Sequence, residues 1–188
     1  MSEAAMQTET SEQDQVEALS KEISASAEAA RHNRDLDQQQ FVSFTVGAEE
    51  YGIDIMQVRE IKGWTEVTAL PNQPPHMRGV MNLRGVIVPI YDMRARFGQG
   101  LTQATGTHVV IIVQVHDKTV GILVDAVSDI LSVRSDQISP IPEVEYSDTA
   151  RFLEGMVTVN ERMVAVMSLE KLIRNDVANF PDIAAHAA

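Results

Sequence analysis

Residues 41–61, FVSFTVGAEEYGIDIMQVREI, can be laid without a gap over residues 110–130, VIIVQVHDKTVGILVDAVSDI. Gly52 then falls on Gly121, and the apolar positions stay in phase along both segments. Internal similarity of this kind is typical of two copies of one structural unit. The sequence therefore predicts two similar β units in series.

A second pair of segments supports the repeat. MRGVMNLRGVIVPIYDM at 77–93 falls on LEGMVTVNERMVAVMSL at 153–169, again with apolar positions in phase. The copies differ at one predicted turn, because Arg84-Gly85 in the first corresponds to Asn160-Glu161 in the second. A residue needed only for folding should be similar in both copies, so this difference is a first indication of function.

The length of 188 residues suits one ordinary domain, or two small units that share a core. Two separate units of about sixty residues would each be marginally stable, since small domains bury too little surface. We therefore expect the apolar faces of the two units to meet, with a groove at their junction.

The formal net charge is -12, and a chain this acidic repels phosphate-rich partners, so nucleic acid is not expected as a ligand. Residues 59–96 run against this trend, with six basic side chains and three acidic ones. This segment is either an ordinary solvated surface or a docking face for an acidic partner. The six basic residues are Arg59, Lys62, Arg78, Arg84, Arg94 and Arg96.

No cysteine is present, which excludes disulfides and thiol chemistry. The first residues, MSEAAMQTETSE, are acidic and lack the apolar stretch of a signal peptide. The aliphatic run VVIIV at 109–113 is far too short to cross a bilayer. We therefore expect a cytoplasmic protein that does not insert into a membrane.

Both ends of the chain are predicted to be flexible tails. Residues 1–40 contain nine acidic and three basic side chains, a composition that favours disorder. A weak amphipathic helix that forms on a partner is the alternative, since five apolar residues recur at helical spacing. These residues are Val16, Leu19, Ile23, Ala27 and Ala30. The second predicted tail comprises residues 179–188.

The chain between the tails, residues 41–178, is predicted to form one β-rich domain. Its strand and turn signals divide into a first subdomain of about 41–106 and a second of about 107–167. A C-terminal helix should follow at about 168–178, with Ser168 as its cap and apolar residues at helical spacing.

Motifs for catalysis are absent from the sequence, which has no G-x-S-x-G elbow, no H-E-x-x-H and no phosphate-binding loop. The five histidines are scattered singly, whereas metal ligands usually include a close pair, so no metal site is predicted. Asp54 and Asp125 sit near matching points of two strands and are the candidates for an acid and a base. Solvent-facing strand positions explain them more simply, and we expect neither enzymatic activity nor a cofactor.

The turn at Arg84 is the centre of the candidate binding site. A guanidinium beside apolar strand surface suits bidentate pairing with a carboxylate or with helix-end carbonyls of a partner. Structural roles compete for its neighbours, because Gly79 recurs as Gly155 and Gly85 can supply a positive φ in a hairpin turn. The apolar members also recur and are explained at least as well by core packing. The full candidate set is Val58, Glu60, Ile61, Gly79, Asn82, Arg84 and Gly85.

Two extended motifs stand out, FxVGxEEYGIDIxxVxEI at 44–61 and RGVMNLRGVIVPIYDMRxxF at 78–97. They resemble the signature segments of the CheW-type adaptor family of bacterial chemotaxis. The stretch VGILVDAVSDIL at 120–131 is similar as well, as are the LEGMV and LEKL elements near the end. The resemblance extends from about Phe41 to Ile173.

This resemblance implies an all-β fold of two similar, intertwined five-stranded SH3-like β-barrels with short helices and a C-terminal helix. It also implies a non-catalytic adaptor that couples transmembrane chemoreceptors to the histidine kinase CheA in membrane-associated signalling arrays. The helical hairpin tip of the receptor would bind in the groove between the barrels, at the candidate set named above. The regulatory domain of the kinase, which is similar to this fold, would pack end to end with the chain.

Two alternatives share parts of these observations. An adaptor of a non-chemotactic signalling pathway would show the same motifs, and only identification of its partners would separate it. A small ligand-binding or enzymatic β-barrel would instead place a pocket at the junction and use Asp54 or Asp125.

Overall fold

Two five-stranded β-sheets form the body of the protein; the structure is a computed structural model and describes residues 3–32, 38–141 and 149–177. The first sheet contains β1 (Gln38–Val46), β2 (Glu49–Asp54), β8 (Ala126–Arg134), β9 (Leu153–Val159) and β10 (Arg162–Met167), in the order β8-β1-β2-β10-β9. The second contains β3 (Val58–Gly63), β4 (Met77–Leu83), β5 (Val86–Asp92), β6 (Val109–Val115) and β7 (Lys118–Val124), in the order β3-β6-β7-β5-β4. The predicted all-β class is confirmed.

Each sheet combines strands from both halves of the chain. β1 and β2 share a sheet with β8, β9 and β10, whereas β6 and β7 share one with β3, β4 and β5. The predicted subdomains of about 41–106 and 107–167 therefore do not correspond to the sheets. Short connections carry the chain from one sheet to the other. Only a 3-10 turn, Ile55–Gln57, separates β2 from β3, and only Asp125 separates β7 from β8. The chain crosses directly from one sheet into the other at both points.

The two sheets repeat the same pairing geometry. In the parallel pair of β5 and β7, Ile90 lies opposite Gly121, and in the parallel pair of β10 and β2, Val166 lies opposite Gly52. The sequence repeats align these same residues with one another, Ile90 with Val166 and Gly52 with Gly121. The predicted internal repeat is therefore confirmed at the level of individual residue pairs.

The apolar faces of the two sheets meet in a shared core. Along β6, Ile111 and Val113 face this core, whereas Val110 and Ile112 belong to a smaller cluster of the second sheet. Both faces of β6 are buried, which explains its continuous apolar run. The first sheet has a corresponding small cluster around Phe41. The expectation that the two units share a core is confirmed.

Helix α1 (Glu3–His32) packs against β3 and against the 3-10 turn that precedes it. Ile23 and Ala27 are buried in the shared core, and Val16 and Leu19 pack against it. The structure therefore differs from the predicted flexible tail over residues 3–32. The helical alternative forms, but on the chain's own sheet. Burial of one apolar stripe stabilises such a helix, and composition does not reveal this burial.

Two further helices complete the fold, α2 (Met93–Arg96) after β5 and α3 (Leu169–Val177) at the end of the described chain. Ser168 Oγ accepts a hydrogen bond from the N–H of Lys171 at 3.4 Å, as predicted for the cap of α3. Leu172 and Ile173 hold the helix on the shared core. The predicted tail 179–188 lies outside the described residues.

Candidate functional site

The turn between β4 and β5 carries Arg84, on which the predicted site centres. Arg84 and Gly85 have φ angles of 52° and 89°, and Leu83 lies opposite Val86 at the end of the hairpin. Two left-handed residues in a two-residue loop are the features of a type I′ turn, whose twist matches that of the flanking strands. Asn82 Oδ1 accepts a hydrogen bond from the N–H of Gly85 at 2.8 Å and stabilises the turn.

The equivalent turn of the second repeat has a similar backbone but different side chains. Asn160 and Glu161 have φ angles of 49° and 65°. Turn formation does not select an arginine here, since positive φ favours Gly, Asn and Asp. The Arg84 side chain is 80% exposed, and its Nη2 lies 3.2 Å from Oε2 of Glu60. An exposed ion pair contributes about 1 kcal/mol or less, so folding gives no strong reason for this arginine.

A groove of about 630 Å³ lies beside β3, between the Arg84 turn and helix α1. Glu60 and Arg84 line one side of the groove, and Ser20 and Lys21 of α1 line the other. Ser20 Oγ accepts a hydrogen bond from the N–H of Ile61 at 3.3 Å, so the helix is bound to the backbone of β3. β3 is an edge strand, whose outward N–H groups require a partner. Helix α1 provides one.

The two apolar residues of the predicted site are buried. Val58 is 5% exposed and Ile61 is 4% exposed. Both belong to the hydrophobic cluster that contains Ile23 and Ala27 of α1. A partner cannot contact these two side chains while α1 lies on β3. The charged part of the predicted site is therefore accessible, and its apolar part is covered.

Gly79 is buried and has a role in the backbone. Its φ is 137°, and a β-carbon at this position would collide with the carbonyl oxygen of Thr68. Thr68 and Val80 form an antiparallel bridge, which brings the chain after β3 against β4. At the equivalent Gly155, an added β-carbon would lie 2.9 Å from the carbonyl oxygen of Ser139. Close approach of two backbones explains glycine in both repeats.

Several basic residues of segment 59–96 bind within the protein, so the whole segment is not a docking face. The internal interactions join Arg78 Nη1 to Asp92 Oδ2 at 3.6 Å, Arg94 to Asp125 through two hydrogen bonds of 2.9 and 2.8 Å, and Arg96 to the carbonyl oxygen of Leu172 at 2.8 Å. The other three, Arg59, Lys62 and Arg84, line the groove beside β3. The positive surface is therefore smaller than predicted and lies at the candidate site.

The two carboxylates considered for acid–base catalysis lie far apart along β1. Asp54 pairs with Phe41 in the register of β1 and β2, whereas Asp125 Oδ2 accepts a hydrogen bond from the N–H of Gly47 at 2.7 Å. The extended strand from Phe41 to Gly47 spans about 20 Å at about 3.3 Å per residue. These carboxylates cannot act together on one substrate.

Their pKa values follow from local structure. Burial raises the pKa of Asp54, partly opposed by the N–H of Met56, and the charge of Glu154 raises it further. Burial alone would also raise the pKa of Asp125, but the bonds from Arg94 and from the N–H of Gly47 outweigh it. The pKa of Asp125 therefore lies below its ordinary value, as expected for a carboxylate in a structural ion pair.

Residues 3–32, 38–141 and 149–177 contain neither a cluster of metal ligands nor a membrane-spanning helix. No group of three His, Cys, Asp or Glu in these ranges could hold a metal ion. None of the helices there is both long and apolar enough to span a bilayer.

Known proteins have a similar sequence and a similar fold. The CheW-like domain family matches residues 40–177. The chain belongs to the CheW-like family. A probable chemotaxis protein CheW of Rhizobium etli is 44% identical over 133 residues, which cover 71% of this chain and 86% of the relative. The chemotaxis protein CheW of Klebsiella aerogenes is 44% identical over 138 residues, which cover 73% of this chain and 83% of the relative.

A solved CheW structure has the same architecture. The crystal structure of the scaffolding protein TtCheW from Thermoanaerobacter tengcongensis matches with a TM-score of 0.67 at 32% identity, covering 72% of this chain and 92% of that chain. The resemblance noted in the sequence is confirmed. As a CheW-like protein, the chain is a non-catalytic chemotaxis scaffold and not an enzyme. The CheW-like match begins at residue 40, so helix α1 lies outside it.

Two exposed apolar residues beside the Arg84 turn were not predicted. Val86 and Ile87 are 55% and 43% exposed. The run VIV at 86–88 indicates a strand but not which of its side chains are exposed. Val86 and Ile87 are exposed because the pairing of β5 with β7 begins only at Ile90. These side chains add apolar surface beside the guanidinium, a combination typical of a protein-binding site.

Proposed function

We propose that this chain is an adaptor that couples the cytoplasmic tips of chemoreceptors to the regulatory domain of the histidine kinase CheA. The receptor's helical hairpin binds at the surface formed by the Arg84 turn and β3. The kinase domain packs end to end with the chain, and both contacts recruit the protein to membrane-associated receptor arrays. The proposed receptor site consists of Val58, Glu60, Ile61, Gly79, Asn82, Arg84 and Gly85.

The observation that carries this proposal is the exposed arginine in a turn that does not require it. The two repeats build the same turn from Arg84-Gly85 and from Asn160-Glu161. In the first repeat the guanidinium projects into solvent beside Val86 and Ile87. Arginine with adjacent apolar surface is the composition of an energetically important contact in protein interfaces.

The members of the proposed site have different roles. Arg84 and Glu60 are the direct contacts, because they line the groove. Asn82 and Gly85 hold the turn through their hydrogen bond, and Gly79 allows β4 to approach Thr68. Val58 and Ile61 lie beneath, in the core next to α1.

Weak individual contacts are sufficient for such an adaptor. A standard interface buries about 800 Å² per partner, and a micromolar affinity corresponds to about -8 kcal/mol. Many linked copies in an array hold together more firmly than any single pair, because each further contact forms within the same assembly. A change in the receptor can shift the kinase only through contacts that differ between two states.

The charge reversal Arg84→Glu tests the receptor site. Arg84 is exposed and its ion pair is weak, so the free energy of unfolding should change by no more than about 1 kcal/mol. Loss of a charge contact at an interface should weaken binding of a soluble chemoreceptor cytoplasmic fragment at least about tenfold, or about 1.4 kcal/mol. Calorimetric titration of the fragment and thermal unfolding measure the two quantities.

The matched control is Arg134→Glu, which reverses an exposed charge at the end of β8, outside the groove, where Arg134 pairs with Asp136. It should bind the fragment as the parent does. Equal affinity of the Arg84→Glu variant and the parent would remove Arg84 from the receptor site. Purification of bound partners from the native cell, followed by reconstitution with CheA, separates a chemotactic pathway from another signalling pathway.

A further inference from the structure

We infer that helix α1 is an intramolecular competitor of the receptor, which covers the apolar half of the proposed receptor site and must leave β3 before the receptor helices bind. This inference rests on the proposed function and concerns the regulation of the same site. The receptor tip is expected to be helical, and α1 is an amphipathic helix that already occupies the surface.

The contacts of α1 are made with the strand that carries the proposed site. Helix α1 packs against β3, and Ile23 and Ala27, which are 2% and 4% exposed, are buried in the same shared core as Val58 and Ile61. Ser20 Oγ binds the N–H of Ile61, an outward backbone donor of the edge strand. The helix therefore contacts β3 through an apolar stripe and through a backbone hydrogen bond, as a bound partner helix would.

The net charge of α1 is opposite in sign to that of the facing groove wall. Residues 3–32 contain seven acidic and two basic side chains, whereas Arg59, Lys62 and Arg84 line the other wall together with Glu60. On the α1 side, Glu17 and Lys21 line the groove and form an ion pair with each other at 2.8 Å. Charge therefore acts through the net attraction of an acidic helix to a basic wall, and the close contacts are the apolar stripe and the hydrogen bond of Ser20.

Receptor and α1 compete for the same strand. Helix α1 packs against β3, and Ser20 Oγ accepts a hydrogen bond from the backbone N–H of Ile61. The groove that remains beside the helix gives access to Glu60 and Arg84, whereas the side chains of Val58 and Ile61 stay buried. A receptor helix that contacts these apolar side chains therefore has to displace α1.

The position of α1 outside the CheW-like match is consistent with an added regulatory element. The match begins at residue 40, after the helix, and residues 38–46 already form β1. The sheets contain their complete strand sets without α1. Release of the helix would thus uncover the edge of β3 without removing a strand.

The variant Ala27→Glu in the full chain tests this inference, because it places a charge at a buried position between α1 and the core. Ala25→Glu is the matched control, since Ala25 is exposed on the same helix. A helix that is bound nine-tenths of the time weakens the apparent affinity of a competitor about tenfold. Ala27→Glu should therefore bind a soluble chemoreceptor cytoplasmic fragment about tenfold more tightly than the parent and Ala25→Glu.

A second comparison holds α1 in place. The chain has no cysteine, so Ser20→Cys and Lys62→Cys, whose side chains line the same groove, can be joined by a short thiol-specific cross-linker. The cross-linked protein should bind the fragment at least tenfold more weakly than the same variant before cross-linking. Trp64, the one tryptophan of the chain, also lines the groove and reports helix release by fluorescence. This comparison decides the question if Ala27→Glu does not fold.

The outcomes separate this inference from the proposed function. If the parent binds the fragment and neither Ala27→Glu nor cross-linking changes the affinity, competition by α1 is refuted and the receptor site stands. Weaker binding by Ala27→Glu, with Ala25→Glu unchanged, would mean that α1 is part of the binding surface and would also refute competition. If neither the parent nor Ala27→Glu binds, the proposed function fails and the inference fails with it.

Discussion

Replacement of Gly79 by alanine separates a role in the fold from a role in receptor binding. Gly79 belongs to the predicted site, but its φ of 137° and the adjacent carbonyl of Thr68 leave no room for a methyl group. We expect Gly79→Ala to destabilise the whole domain. If the Gly79→Ala variant lost receptor binding, unfolding would explain the loss, and it would not show that residue 79 contacts the receptor.

The size of the effect follows from two contributions. A non-glycine residue in a backbone region that is nearly restricted to glycine costs about 1–3 kcal/mol. The forced contact with the Thr68 backbone adds about 1–3 kcal/mol, as in overpacked cores. The sum of about 2–6 kcal/mol is a large fraction of a typical stability of about 5–15 kcal/mol. For a chain of this size the melting temperature should fall by at least about 5 °C.

Two further glycines calibrate the measurement. Gly155 has a similar close contact with Ser139 but lies outside the left-handed region, so Gly155→Ala should cost only about 1–3 kcal/mol. Gly106 has open space around it and no left-handed φ, so Gly106→Ala should be neutral or stabilising by up to about 1 kcal/mol. Chemical denaturation with circular dichroism gives all three free energies.

The reasoning fails if the order is not the one expected. A Gly79→Ala variant as stable as Gly106→Ala would show that the backbone contact does not constrain residue 79. If that stable variant also lost the receptor fragment, Gly79 would be a contact residue of the site.

Two more predictions concern groups that hold the fold. The depressed pKa of Asp125 means that its stabilising ion pair is present above the unfolded value of about 3.9 and is lost as the pH falls through the folded pKa. Asp125→Asn should therefore lower stability at pH 7 by about 1–3 kcal/mol and flatten its loss between pH 5 and pH 3, measured by denaturation at each pH. An unchanged pH profile would contradict the role of the pair. Arg96 donates a hydrogen bond to the Leu172 carbonyl of α3 and lies over the ring of Phe152. Arg96→Met should therefore lower the free energy of unfolding by about 1–3 kcal/mol. A melting temperature equal to that of the parent would exclude this role.

Much of the local structure could be predicted from particular residues. Gly52 and Gly121 marked the repeat, and the register places them at equivalent positions of the two sheets. Ser168 predicted the start of the last helix correctly. These features depend on short stretches of chain, where side-chain period and hydrogen-bonding groups decide the conformation.

The candidate site was only partly predictable. Arg84 was expected in an exposed turn, and Arg84 and Gly85 do form a turn with two positive φ angles. The burial of Ile61 and the exposure of Ile87 could not be read from the sequence, because both are apolar strand residues. Their burial depends on neighbours that are distant in the chain. Ile61 is buried in the core beside α1, whereas Ile87 is exposed because the pairing of β5 with β7 begins only at Ile90.

The sequence by itself determined the strands, the repeat and the unusual arginine, because alternation and turn chemistry act between residues that are close along the chain. Only the tertiary structure decided that β1 and β2 join the sheet of β8–β10 while β6 and β7 join that of β3–β5, and that the acidic N-terminal segment folds as a helix on β3. Both outcomes depend on which apolar surfaces meet in three dimensions. A helix whose stripe is as sparse as that of α1 forms only where a complementary surface buries it.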